Sequence, residues 1–273
     1  MPELPEVESL RLKLAPQILG SQIQNLILRR KDLRYDIPKS LPKEIATSRV
    51  VTLKRRSKYL LVNTDMGKTW IIHLGMSGRF FFADPKLAFD KHDHVIVNWQ
   101  DGRQMRFRDP RRFGMMDWTQ TQDLDQHPWL NKLGFEPLTA EFNAESLFKL
   151  CLKSTSSIKI LIMNAKFVVG IGNIYASEAL FLAKINPERQ AKSLTQKETK
   201  NLCAAIKKVL QNSIDQGGSS IRDYVDSASS PGLYQLQLAV YGRDGQNCSG
   251  CGSTILRLIQ SGRSSFYCPT CQK

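Results

Sequence analysis

No apolar stretch in this chain approaches the length needed to cross a bilayer. The opening residues, Met1-Pro2-Glu3-Leu4-Pro5-Glu6, have neither the basic start nor the apolar run of a secretion signal. These two absences set aside membrane-spanning and exported classes, and the expected location is the cytoplasm. Cysteine is sparse. Four of the six cysteines stand in two Cys-x-x-Cys pairs near the C-terminus, which leaves Cys151 and Cys203 isolated. Without an export signal the pairs read as metal ligands rather than disulfides, and the isolated two as small buried apolar residues. Acidic residues are too few to balance the basic ones: 25 Asp+Glu against 39 Lys+Arg gives +14. Such a surplus attracts polyanions. Nucleic acid is the first candidate and an anionic membrane surface the alternative. No internal repeat is present, and 273 residues suffice for two domains with their own cores.

Helical spacing runs over 5–19, where Val7, Leu10, Leu14 and Ile18 recur by three and four before Gly20, with Pro16 expected to kink or fray the last turn. Short β-type runs follow at 23–28, 50–53, 59–63, 69–74, 95–99 and 104–108. Gln100-Asp101-Gly102-Arg103 predicts a hairpin with a type I′ turn. In the last run Met105 and Phe107 alternate with Gln104, Arg106 and Arg108, which predicts one basic face. So many short strands pack naturally as a sandwich or barrel. The pattern becomes helical after about residue 135, with helices expected at 143–152, 157–163, 173–183 and 195–216, the last opened by the capping box Thr195-Gln196-Lys197-Glu198. Ser227-Ala228-Ser229-Ser230-Pro231-Gly232 reads as a mobile loop.

Cys248-x-x-Cys251 and Cys268-x-x-Cys271 are 16 residues apart (268 − 251 − 1), within the spacing of four-thiolate zinc sites. Four sulfurs close the tetrahedron, so the metal would be structural; an iron–sulfur cluster is the alternative. Between the knuckles lies Ser261-Gly262-Arg263, where an Arg at a hairpin tip either grips a phosphate or is simply solvated. At the other end of the chain, Pro and Glu suit a helix start without any catalytic role. If Met1 is removed, however, Pro2 becomes a secondary amine. Such an amine attacks an aldehyde-level carbon and gives a cationic iminium, an electron sink for elimination, with Glu3 beside it to move protons.

Met1-Pro2-Glu3-Leu4-Pro5-Glu6-Val7-Glu8 resembles the N-terminus of the formamidopyrimidine-DNA glycosylases; the related endonuclease VIII proteins more often have Gly where Leu4 stands. The resemblance covers the whole chain. It continues through Arg55-Arg56-Ser57-Lys58-Tyr59-Leu60, His73-Leu74-Gly75-Met76-Ser77-Gly78, Lys91-His92-Asp93-His94, Asp109-Pro110-Arg111-Arg112-Phe113-Gly114, Gly170-Ile171-Gly172-Asn173-Ile174-Tyr175 and the four-cysteine finger. It implies an α+β protein with an N-terminal helix and two-sheet β-sandwich domain (1–134). A helix–two-turn–helix bundle with a lid loop (135–235) and a zinc β-hairpin (236–273) would follow, with DNA held between the halves. It also implies a bacterial monomer at the nucleoid that removes oxidised purines, 8-oxoguanine and formamidopyrimidines, from duplex DNA and nicks the strand by β,δ-elimination. One structural zinc and no redox cofactor belong to this reading. An endonuclease VIII-type enzyme for oxidised pyrimidines and a non-catalytic zinc-containing nucleic-acid-binding protein are the alternatives.

The same resemblance assigns roles. Pro2 is the nucleophile and Glu3 assists base loss, with Glu6 near the sugar or merely compensating the helix dipole. Lys58 faces a phosphate or the departing base, and Arg263 joins the catalytic set. His92, Arg111, Lys153 and Asn173 contact DNA, with Lys159 an alternative to Lys153. Asn173 reads equally as a helix N-cap. Met76, Arg111 and Phe113 fill the gap left by a flipped base and meet its orphaned partner. Residues 219–232 match the lid, and an acidic residue is usual near Asn164.

Overall fold

The computed structural model of the chain describes residues 1–218 and 237–273; the loop expected at 227–232 and the lid at 219–232 lie outside the described residues. Two compact units are present. Met1–Asn131 belong to the first, with Gly217 and Gly218, and Lys132–Gln216 with 237–273 to the second. Among the described residues no helix is long and apolar enough to cross a membrane.

The first unit opens with helix α1 (Leu4–Ile18), which buries the expected stripe Val7, Leu10, Leu14 and Ile18. Pro16 does not break it: the chain stays helical to Ile18, and Leu19 N–H still reaches the Ala15 carbonyl at 3.0 Å. Two four-stranded antiparallel sheets follow. One has the order β1 (Ile23–Leu28), β6 (Asp93–Trp99), β7 (Gln104–Arg108), β5 (Arg79–Ala83). The other runs β2 (Val50–Arg56), β3 (Tyr59–Thr64), β4 (Lys68–His73), β8 (Met115–Gln120). A short helix, α2 (Leu41–Ile45), precedes β2. Trp70 of β4 meets Phe80 of β5 edge-on at 6.0 Å, and Phe80 packs on Phe107 at 5.0 Å, so one shared core joins the sheets.

Three expectations need correction. The β6–β7 turn is not type I′, which requires positive φ at both central residues; here only Gly102 has it, and Gly102 N–H closes on the Trp99 carbonyl at 3.0 Å. The expected basic face of β7 is not a solvent face. Arg106 is 2% exposed, with donors to Gln104 Oε1 and to the Ala88, Asp84 and Leu87 carbonyls and an ion pair to buried Asp93. Strands β5 and β8 lack a period-2 signal in the sequence because Phe80-Phe81-Phe82 and Met115-Met116 do not alternate. In β5 guanidinium groups cover the half-buried ring of Phe81, Arg108 at 4.9 Å and Arg79 at 5.8 Å.

The second unit contains α3 (Ala144–Leu152), α4 (Ile158–Met163), α5 (Asn173–Leu182) and α6 (Gln196–Asp215), then the hairpin β9 (Leu256–Gln260) and β10 (Arg263–Tyr267). The capping box of α6 forms as the sequence predicts. Glu198 N–H donates to Thr195 Oγ1 at 3.2 Å, and Thr195 N–H donates back to Glu198 Oε2 at 2.8 Å. The β9–β10 connection is a two-residue turn in which Ser261 (φ 47°) and Gly262 (φ 74°) both have positive φ, the type I′ requirement.

Candidate active site and nucleic-acid interface

Pro2 is buried, and Glu3, the N-cap of α1, is 3% exposed. Glu6 Oε2 accepts the Glu3 backbone N–H at 2.8 Å, so the Glu6 carboxylate is held at the N-terminus of α1. Glu6 therefore caps α1. A tether runs from the next turn of α1 to the β2–β3 turn. Glu8 accepts from Arg11 Nε at 2.9 Å and from Arg55 Nε at 3.0 Å, and Arg55 Nη1 donates to the Ser57 carbonyl at 3.0 Å. Burial pushes the Glu8 pKa up, but the two guanidinium groups outweigh it and hold the carboxylate below its usual range. Ser57 has φ 56°, and this strained turn presents half-buried Lys58.

Lys58 also acts on its neighbour. His73, at the end of β4, has its pKa lowered to about 4, first by burial and then by the charges of Lys58 and Arg34. Its Nδ1 accepts from Gly75 N–H at 3.0 Å, which fixes the start of the Met76 loop.

Two loops meet over Asp109. Its Oδ1 accepts from Ser77 Oγ at 2.6 Å and its Oδ2 from Gly114 N–H at 2.8 Å, while Ser77 Oγ accepts from Arg111 N–H at 3.1 Å. Gly75 (φ 68°) lies so close to Phe113 that a Cβ there would sit 2.2 Å from the Phe113 carbonyl carbon. The predicted trio thus shares one platform: Met76 is half-buried, Arg111 exposed, and Phe113 40% exposed with the Arg111 guanidinium 5.4 Å from its ring. Phe113 is not a core residue. His92 is partly exposed, its ring 6.2 Å from that of His94 and its carbonyl taking the Asp109 N–H at 3.0 Å.

In the second unit the helix N-cap is Gly172, not Asn173. Asn173 is the first helical residue, and its Nδ2 donates to the Ser264 carbonyl of β10 at 2.7 Å. Lys159 converges on the same strand: 2% exposed, its Nζ donates to the Ser264 carbonyl at 3.1 Å and to Ser265 Oγ at 2.6 Å. Lys159, Asn173 and Arg263 are therefore brought together. Lys153, the residue named first from sequence, is exposed at the C-cap of α3, in a depression with Phe135, Asn143 and Lys149. A cavity of about 270 Å³ lies beside Lys159 and Arg263 and is also lined by Asn164, whose Oδ1 accepts the Lys166 N–H at 3.0 Å.

The four cysteine Sγ atoms lie within 4.8 Å of one another, with Cys248–Cys271 at 3.9 Å and Cys251–Cys268 at 3.4 Å. A sulfur–sulfur bond is about 2 Å, so these are not disulfides. Metal–sulfur bonds of about 2.3 Å in a tetrahedron put sulfurs about 3.8 Å apart, a figure that the Cys248–Cys271 and Cys251–Cys268 separations bracket. Gly250 and Cys271 N–H groups donate to Cys248 and Cys268 Sγ, each at 3.4 Å, as thiolate knuckles require.

The comparisons with known proteins agree with this geometry. Residues 1–116 match the formamidopyrimidine-DNA glycosylase N-terminal domain, 133–225 its H2TH domain, and 245–273 the zinc finger found in FPG and IleRS. A formamidopyrimidine-DNA glycosylase of Rickettsia bellii is 42% identical over 273 residues, covering 100% of both chains, and one of Pseudomonas fluorescens is 42% identical over 272 residues with the same coverage. This chain belongs to the formamidopyrimidine-DNA glycosylase family. Among solved structures, the Thermus thermophilus MutM (FPG) protein is 36% identical with a TM-score of 0.89, covering 99% of this chain and 98% of that one. The complex of the Lactococcus lactis Fpg with DNA containing an abasic site is 34% identical with a TM-score of 0.92, covering 99% of each.

Sequence reading of this family member missed two organising residues. One is Asp109 as the tie between the loops; an Asp before Pro looks like a simple turn residue. The other is Glu178 of α5, 5% exposed, whose carboxylate collects the N–H groups of Ala239, Val240 and Tyr241 at 2.8, 3.0 and 2.8 Å. Burial pushes its pKa up while those donors pull it down. A lone Glu in an apolar helix was the available signal.

Proposed function

We propose that this chain is a bifunctional DNA glycosylase and abasic-site lyase that removes 8-oxoguanine and formamidopyrimidines from duplex DNA, acting as a monomer with one structural zinc. Leu4 and the Asp109–Gly114 motif favour oxidised purines over pyrimidines. Removal of Met1 frees the Pro2 amine. That amine attacks C1′ of the damaged nucleotide; the bond from C1′ to the base breaks, and the base departs with a proton. Opening of the sugar ring, assisted by Glu3, leaves a Pro2–C1′ iminium. The iminium accepts the electron pair released when the C2′ proton is removed, and the 3′ phosphate leaves. A second elimination expels the 5′ phosphate. Lys58, Arg263, Asn173 and His92 hold the phosphates, with Lys159 positioning β10 and Lys153 a peripheral contact.

The observation that carries this reading is the N-terminal arrangement: Pro2 is buried immediately before α1 and next to Glu3, whose backbone N–H is held by the Glu6 carboxylate, on a helix tethered to the Lys58 turn. A pure DNA binder gains nothing from such a terminus. Borohydride reduction in the presence of 8-oxoguanine duplex tests it. A covalent adduct mapping to Pro2, with Met1 absent by mass spectrometry and sharply reduced trapping in Pro2→Gly, is the expected result. An adduct on Lys58, or none, overturns the assignment.

A further inference from the structure

A row of aromatic rings in the first unit is not used by the chemistry above. The Tyr59 and Trp129 rings stack at 6.2 Å with planes 21° apart, and Trp129 meets Tyr35 at 6.4 Å and 31°. Tyr59 in turn touches His73 edge-on at 5.0 Å, beside Lys58. The outermost ring, Tyr35, is 54% exposed, although large aromatic rings usually find cover. Its neighbour Arg34 lies 5.8 Å over the ring.

Position and charge narrow the occupant. Arg34 N–H donates to the Gly114 carbonyl at 3.0 Å, and Arg112 pairs with Asp32 at 3.4 Å, so the segment bearing Tyr35 is fastened to the loop bearing Phe113. Residues 29–36 contain four cations, Arg29, Arg30, Lys31 and Arg34, against Asp32 and Asp36, and Asp32 is already paired with Arg30 and Arg112. Arg29 is taken up by the Asp90 and Asp93 carbonyls, and an exposed aromatic ring with the Arg34 guanidinium over it suits a nucleobase and its phosphate. Each base has a π-face, and stacking needs no particular sequence. An apolar peptide would gain nothing from the charge.

We propose that Tyr35, backed by Trp129 and Tyr59 and accompanied by the Arg34 guanidinium over its ring, is a single-strand subsite on which one unpaired base of the DNA stacks beside the Phe113 loop. The proposal rests on the base-excision reading for its DNA partner. It adds a preference for frayed or single-stranded DNA that duplex recognition alone does not give.

The test uses the full chain with an oligothymidylate of about eight residues, followed by tryptophan fluorescence. Trp70 and Trp99 are buried while Trp118 and Trp129 are half-buried, so the share of the quenching that belongs to Trp129 is read as the part absent from Trp129→Phe. The expected result is quenching by the single strand, about tenfold weaker binding in Tyr35→Ala, and recovery in Tyr35→Phe. Borohydride trapping on fully paired abasic duplex should stay within about twofold of wild type, because Tyr35 touches no reacting atom. Unchanged single-strand affinity in Tyr35→Ala, no quenching in the wild type, or equal loss on both substrates overturns the ledge. Single-strand binding that depends on Tyr35 in a chain that traps no abasic DNA would support the ledge and remove the base-excision reading instead.

Discussion

Phe113 and His73 illustrate what single residues contribute. Phe113 is exposed, so Phe113→Ala should leave the melting temperature nearly unchanged. It should slow excision of 8-oxoguanine from intact duplex about tenfold or more, since unstacking a base costs a few kcal/mol. Cleavage at a preformed abasic site, where no base must be expelled, should slow far less. Single-turnover rates on the two substrates check this; equal slowing would remove the wedge role. Arg111→Ala should also weaken discrimination between cytosine and adenine opposite the lesion, read from the ratio of excision rates. His73 makes a pH prediction. Its pKa falls from 6.5 unfolded to about 4 folded, so between those values the unfolded chain binds more protons. Stability is therefore full above about pH 6.5 and declines as pH falls toward 4. In His73→Gln that part of the decline should vanish from urea midpoints measured across the range.

At the scale of elements, the zinc hairpin is an extension of the helical bundle. Its own buried cluster is small: Val240, Ile255 and Phe266 with Cys248 and Cys268. A zinc ion held by the four cysteines would add folding energy that so small a cluster lacks. Cys268→Ser, or chelation, should unfold the hairpin and weaken DNA binding while the β-sandwich remains folded. Metal analysis should find one zinc per chain, and near-ultraviolet circular dichroism with a filter-binding assay would follow the rest. Glu178→Gln should also destabilise this end, by about 1–3 kcal/mol, because an amide cannot accept three N–H groups as the carboxylate does. Helices with strong periodicity and caps, α1 and α6, were legible from sequence almost to the residue. Strands β5 and β8 were not, because their burial comes from neighbours supplied by distant segments. The N-cap reading of Asn173 fails for a related reason: its side chain is claimed by β10, 91 residues away, rather than by its own helix.

Across the whole molecule, the net charge of +14 was the earliest signal and still bears on binding. The logarithm of DNA affinity should fall steeply with the logarithm of salt, by about 0.9 for each phosphate neutralised by a cationic contact. Arg263→Ala should weaken binding to damaged and undamaged duplex alike and make the slope shallower by about that amount, measured by fluorescence anisotropy from 50 to 200 mM salt. An unchanged slope would put Arg263 off the DNA. The sequence motifs identified most of the residues of the two clusters. What composition and spacing left out was the polar framework beneath them, since hydrogen bonds such as that from the Ser77 hydroxyl to the Asp109 carboxylate connect segments with no sequence signature of their own.

The contact between Gly75 and the Phe113 backbone has a consequence for anyone building hybrids of this protein with a relative. Residues 74–78 and 109–114 are interlocked: any side chain at position 75 would collide with the backbone at 113, and the Asp109 carboxylate holds Ser77 and Gly114 together. They are therefore one exchangeable part written in two places. A chimera that imports one segment with different residues at these contacts would inherit a mismatched joint, whereas importing both would keep the joint intact.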